Sequence, residues 1–138
     1  MFLTTTSMIK KIIVNNTISG ILIKKEFTLN DGIEFVNSKD DEFQIGLMKR
    51  KKGYKVAPHY HEKISRKIKM TSEALFVKKG SVECTLFDKN DKQNGKTFII
   101  NKGDILVIFD SAHKFNFLED SEIIEIKQGP FIDSKIIL

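Results

Sequence analysis

GYKVAPHYHEKISRKIKMTSEALFVKKG, residues 53–80, sets two histidines two apart and a glutamate, Glu73, twelve residues further on. In an extended strand the side chains at i and i+2 share a face. YKVAPHYH (54–61) read as a strand therefore aims His59 and His61 together and turns Tyr60 away. In EALFVKK (73–79) Glu73, Leu75 and Val77 share one face, which puts a carboxylate at the end of a row that otherwise packs inward. The third and last histidine, His113, opens HKFNF, where Phe115 and Phe117 lie on its side. His113 is thus expected at a strand position whose neighbours of the same parity are apolar.

The same short alternating runs recur along the chain. KKIIV, GILIKKE, FQIGLMK, VECTLFD, TFIIN, DILVIF and EIIEIK read as further strands, and no long segment carries the i, i+3, i+4, i+7 spacing of an amphipathic helix. Turns are expected at KKGS, at NDKQNGK with its Asn94-Gly95 pair, and at NKGD, because Gly and Asn tolerate positive φ. NDGIEF, near residues 30–35, is expected to hold a helical turn. The fold class is all-β, and about ten strands at this spacing predict a double-sheet jelly roll or a small barrel. With no linker, repeat or low-complexity tract, one domain over residues 1–138 is expected.

At 138 residues the chain is long enough to bury a hydrophobic core without a structural crutch. Its 41% hydrophobic and 30% charged residues are ordinary for a globular protein, and no apolar run is long enough to span a bilayer as a helix. The opening MFLTTTSMIKKIIV has no basic region ahead of its apolar stretch and no small-residue cleavage site, so a cytoplasmic location is expected. The net charge of +5 is carried by interleaved lysines, and only MKRKKGYK (48–55) is densely basic. Solvated lysines, with no nucleic-acid partner, are the expectation. Cys84 in SVECTLF reads as a small core residue.

One histidine on an apolar face is ordinarily a hydrogen-bonded core residue, and one glutamate at a strand end is ordinarily solvated. Four such residues resist that explanation. An unpaired buried carboxylate is costly and several charged imidazoles repel, whereas one divalent cation compensates them all. Imidazole and carboxylate suit Fe, Mn, Ni, Zn or Cu, and an N3O set leaves positions free for water or substrate. Glu62 is a second carboxylate, but it follows His61 directly and would point to the opposite face. Arg66, in the stretch between the histidines and Glu73, offers a planar guanidinium for a substrate carboxylate or phosphate, although an exposed surface arginine is the slightly better explanation. Tyr60 and Gln128 are further polar contacts that strand packing and turn formation also explain.

These residues resemble the cupin superfamily. Gly53, YKVAP and His59-Tyr60-His61 match the start of its first motif, and Glu73, ALFVKK and Gly80 match the end, with a longer spacer, EKISRKIKMTS, between. The second motif is represented by GDILVIFDSAHKFN, where Gly103, His113 and Asn116 match and Phe109 and Ser111 replace a proline and a glycine. The chain is similar to small bacterial cupins with a lengthened spacer, often associated with surface polysaccharide biosynthesis. The likeness covers about residues 45–132, with residues 1–44 supplying N-terminal strands. It implies a cupin-type double-stranded β-helix, with His59, His61, Glu73 and His113 as metal ligands.

Three functions are then expected to compete. The first is a metal-dependent isomerase, epimerase or oxygenase acting on a small molecule such as a sugar or nucleotide-sugar. The second is a metal-free enzyme resembling sugar ketoisomerases, with the His-x-His pair as base and acid. The third is a module that binds a small molecule without changing it. Ala74 and Phe76 make the other face of the glutamate strand apolar too, and the ending FIDSKIIL exposes hydrophobic residues, so a homodimer is expected to cover them.

Overall fold

The computed structural model describes residues 8–138. Among them lie ten strands and no helix: β1 (Ile9–Val14), β2 (Thr17–Ile23), β3 (Gly32–Phe35), β4 (Gly46–Lys49), β5 (Glu73–Lys79), β6 (Ser81–Asp88), β7 (Asp91–Asn101), β8 (Ile105–Ile108), β9 (Ala112–Phe117) and β10 (Glu122–Lys127). Every pairing between them is antiparallel. The all-β expectation is met. The opening residues 1–7, part of the stretch read for a secretory signal, lie outside the described residues.

The chain forms two compact units, one of residues up to Phe27 with Met70–Leu138, the other of Thr28–Lys69. The first holds a five-stranded sheet in the order β1-β2-β8-β5-β10 and a three-stranded sheet in the order β7-β6-β9. Alternation sends Ile12, Leu22, Leu75, Val77, Leu106 and Ile108 of the larger sheet toward Val82, Cys84, Leu86 and Ile100 of the smaller one. Leu86, Leu106 and Val77 are fully buried. Burial of each such side chain contributes about 1.5–3 kcal/mol. The result is a sandwich of two antiparallel sheets, and among the described residues neither sheet closes into a barrel.

The larger sheet is apolar on its other face as well. Its register aligns Ile23, Ile105, Phe76 and Ile124 in one cross-strand row and Ile21, Val107, Ala74 and Ile126 in the next. Ile21, Ile23 and Val107 are buried, while Ile124 and Ile126 on the edge strand β10 are exposed.

Turn chemistry closes the hairpins. Gly80, φ +93°, joins β5 to β6, and Gly103, φ +90°, precedes β8, as KKGS and NKGD predict. Asn15 and Asn16, both at positive φ, make the two-residue turn between β1 and β2. Beside Gly103 the Asp104 side chain is fully buried, and its charge is compensated. It accepts hydrogen bonds from Lys24 Nζ at 2.7 Å and from the backbone N–H groups of Lys25 and Asn101, each at 2.9 Å. Burial pushes this carboxyl up, but the Lys24 hydrogen bond, the two backbone donors and the Lys24 charge outweigh it and hold it below the usual carboxylate value.

In the second unit β3 and β4 pair, and the loop between them is pinned by Asn37. Its amide donates to Asp41 Oδ2 at 2.9 Å and to the Phe43 carbonyl at 2.6 Å, and its Oδ1 accepts from Ile45 N–H at 3.0 Å.

Several sequence expectations are corrected. YKVAPHYH is not a strand, because residues 50–72 contain no strand and residues 55–68 find no partner backbone among the described residues. NDGIEF holds strand β3 where a helical turn was expected, its Gly32–Phe35 stretch pairing with β4. FQIGLMK is strand only over Gly46–Lys49. The β6–β7 turn falls at residues 89–90, and Asn94-Gly95 lies inside β7 at a register irregularity where Gly95 faces Phe87 while Asp91 faces Asp88. Gly and Asn there serve a bulge instead of a turn.

Candidate functional site

Between the two sheets of the first unit lies a cavity of about 260 Å³, lined by Leu75, Val82, Ile100, Phe115, Phe117, Ile123 and Glu125. Strand periodicity builds it. Leu75 on β5, Ile123 on β10, and Phe115 and Phe117 on β9 are all inward positions, and β6 and β7 close the opposite wall. The lining is apolar except for Glu125.

The polar groups gather at the Glu73 end of these rows. Glu73 precedes Leu75 by one inward step on β5, and its cross-strand partner on β10 is Lys127. Lys127 Nζ stands 3.5 Å from Glu73 Oε1 and 3.6 Å from Glu125 Oε1. The Glu73 carboxylate, and after it Glu125, holds the Lys127 ammonium above the usual lysine value. From the other sheet His113, one inward step before Phe115, brings Nε2 to 3.6 Å from Glu73 Oε2. The Glu73 side chain is only 13% exposed and that of His113 31%, so both are shielded without being sealed from solvent. The His113 ring stacks at a tilt on Phe115, with centroids 5.3 Å apart.

The orientation of His113 has a chemical consequence. Its Nδ1 lies 3.3 Å from the Ser111 carbonyl, which can only accept, so Nδ1 carries the proton. In the neutral ring the Nε2 lone pair then faces a carboxylate oxygen. Two acceptors 3.6 Å apart call for a proton or a cation between them, and metal bonds of about 2.1 Å to each would fit that separation. The pair therefore suits a divalent cation as two of its ligands. It equally suits proton exchange with a bound molecule.

His59 and His61 belong to the second unit. Their rings meet edge to face with centroids 5.5 Å apart, so they are neighbours although no strand aligns them. His59 Nδ1 donates to the Ala57 carbonyl at 2.8 Å, which leaves Nε2 as the free nitrogen. Both residues are exposed, against the expectation of inward-facing strand positions, because the segment carrying them packs no face. The sequence-predicted ligands thus come together as two pairs, His59 with His61 and Glu73 with His113, on separate units. Among the described residues no group of three or more His, Cys, Asp or Glu side chains is gathered to hold a metal ion. Arg66, Glu62 and Tyr60 are exposed in the same segment, and the Gln128 amide donates only to the Gly129 carbonyl.

Lys127 and Glu125 were missed in the sequence, although the signal was present. In EIIEIK, Ile123, Glu125 and Lys127 share a parity, and two charges on an inward parity deserve the same question as Glu73. Cys84 is buried as expected, and burial, with the Glu83 charge adding to it, pushes its thiol up to about 12. It is a packing residue.

No protein-family model, curated protein or solved structure matches this chain. Among the described residues, no helix is long and apolar enough to cross a membrane.

Proposed function

We propose that this chain is a cytoplasmic small-molecule-binding protein of cupin type, a jelly-roll sandwich that takes a ligand of about sugar size or smaller between its sheets. The observation that carries the reading is the Glu73–His113 pair, which bridges the two sheets one inward step along the strands from Leu75 and Phe115 of the cavity lining. A volume of about 260 Å³ lies just below the ~300–1,000 Å³ of ordinary ligand pockets. Leu75, Phe115 and Phe117 would grip the apolar body of the ligand, and Glu73, His113 and Lys127 would meet its polar end.

Glu73 and His113 would hold a divalent transition metal (Fe, Mn, Ni, Zn or Cu) through Oε2 and Nε2. Such a cation, when bound, polarises a carbonyl or hydroxyl group, the chemistry of isomerases, epimerases and oxygenases. The chain's own part is to fix the His113 tautomer through Ser111, to pair Glu73 with Lys127, and to exclude water with Phe115 and Phe117. The reading rests on this one pair and not on the four-ligand set that the resemblance implies.

Elemental analysis and calorimetric titration of the protein with Mn, Fe, Ni, Cu and Zn, alongside Glu73→Gln and His113→Ala, test it. One cation per chain in the unaltered protein, weakened at least about tenfold in either variant, is the expected result. No stoichiometric cation in any preparation, or binding indifferent to both substitutions, would remove the metal.

A second reading is favoured by Lys127, whose ammonium already stands 3.5 Å from Glu73. With that charge in place the Glu73–His113 pair can pass a proton to and from a ligand without any metal. Turnover that survives chelation but is lost in His113→Ala would select it.

A further inference from the structure

Residues 54–70 alternate along seventeen positions. Tyr54, Val56, Pro58, Tyr60, Ile64, Ile68 and Met70 fall on one parity, interrupted only by Glu62 and Arg66, and Lys55, His59, His61, Lys63, Lys67 and Lys69 fall with Ala57 and Ser65 on the other. This is the pattern of a strand with one apolar and one basic face. Yet every residue from 51 to 71 is exposed, Tyr60 at 85%, and residues 55–68 make no backbone–backbone hydrogen bond among the described residues. An amphipathic strand left unpaired, with its apolar parity in water, lacks a partner.

We infer that residues 54–70 add as a strand to the free edge of β10 in a second copy of this chain, in a symmetric exchange. Of the two edges β9 and β10, each of which gives two residues to the cavity lining, β10 matches both faces. On its outward side stand the exposed Ile124 and Ile126, which end the two apolar rows of the larger sheet, so Pro58 and Tyr60, two apart on the arm's apolar parity, would continue those rows. On its inward side stand Glu125 and Lys127, the lysine already paired with Glu73 and Glu125, and with Glu119, Asp120 and Glu122 beside them in sequence the charge opposite the arm's basic parity is net negative. The other candidate, β9, presents Lys114 and Asn116 outward and offers the apolar parity nothing.

Two further features agree. Pro58 has no N–H to give, and a proline sits in an edge strand only where that position faces solvent. With Pro58 bonding outward, the odd residues, His59 and His61 among them, bond to β10 and turn their side chains to the side of Glu125. Seventeen arm residues with the six of β10 also fall within the about 20–30 residues a side that stable interfaces use. The exchange is isologous, since each copy gives an arm and receives one. It stands independently of the small-molecule reading.

Light scattering at about 100 μM, with circular dichroism as the check on folding, tests the inference on three samples. The unaltered protein is expected at twice 15.8 kDa. Tyr60→Lys/Ile64→Lys, which breaks the arm, and Ile124→Lys/Ile126→Lys, which breaks the edge, are each expected to run at 15.8 kDa with unchanged strand content. All four side chains are exposed, so the substitutions spare the core. Mixing the two variants restores one intact arm on one intact edge, and partial recovery of the dimer is expected. A monomeric unaltered protein would overturn the proposal, as would a dimer that either double variant leaves intact.

Discussion

Asp104→Asn removes one charge from the buried turn between β7 and β8 while keeping its shape. In the native chain Oδ2 accepts from Lys24 Nζ and from Asn101 N–H, and Oδ1 from Lys25 N–H, all within 2.9 Å. An amide has one acceptor oxygen, so whichever way it is turned its NH2 group faces a donor. Lys24 also loses its counter-charge. Breaking a buried pair from one side costs about 3–5 kcal/mol, and the Lys24 side chain is 25% exposed, which places the loss near the lower figure. For a chain of this size about 3 kcal/mol lowers Tm by roughly 10 °C. Acid supplies the sign. The folded carboxyl lies below its ordinary 3.8, so its contribution is complete well above that value and disappears as pH falls through the folded pKa. Urea unfolding of both proteins should therefore show a gap of about 3 kcal/mol at pH 7 that persists to about pH 5 and closes below pH 3.8. A gap under about 1 kcal/mol at pH 7, or one that stays constant into acid, would refute the reasoning.

Gly80→Ala should destabilise by more than about 2 kcal/mol, since a left-handed residue there costs about 1–2 kcal/mol and its Cβ would also meet the Asp120 carbonyl oxygen at 2.7 Å. Thermal unfolding checks it, and a loss below about 1 kcal/mol would show that the β5–β6 turn relaxes freely. Cys84, with its thiol near 12, should resist a thiol-specific disulfide reagent at pH 8 in the folded protein and react at once in denaturant. Rapid labelling of the native chain would mean that the sandwich opens far more often than its packing allows.

What the sequence discloses about this fold follows what alternation can encode. EALFVKK, VECTLFD and DILVIF are strands because their inward residues fill the core between the sheets, and KKGS and NKGD turn because only glycine takes their positive φ without strain. Periodicity is silent on whether a strand finds a partner. YKVAPHYH carries as good a pattern as any, yet no neighbouring backbone meets it, so its histidines stand in water. The Glu73–His113 approach was legible only as two inward parities. That they meet across the sheets depends on the order β1-β2-β8-β5-β10 in one sheet and β7-β6-β9 in the other, which no local signal records. Asn94-Gly95 misleads for a related reason, because the residues that favour a turn also favour a bulge and the length of β7 chooses between them.

The central claim is that a ligand enters between the sheets and is met by Glu73 and His113. A crystallographic screen of small sugar-like and aliphatic fragments addresses it directly. The account predicts fragments against Leu75, Phe115 and Phe117 with a polar end within hydrogen-bond distance of Glu73 or His113, and their loss in Glu73→Gln. Fragments scattered over the surface, with the inter-sheet cavity bare or its occupancy unchanged by that substitution, would contradict it.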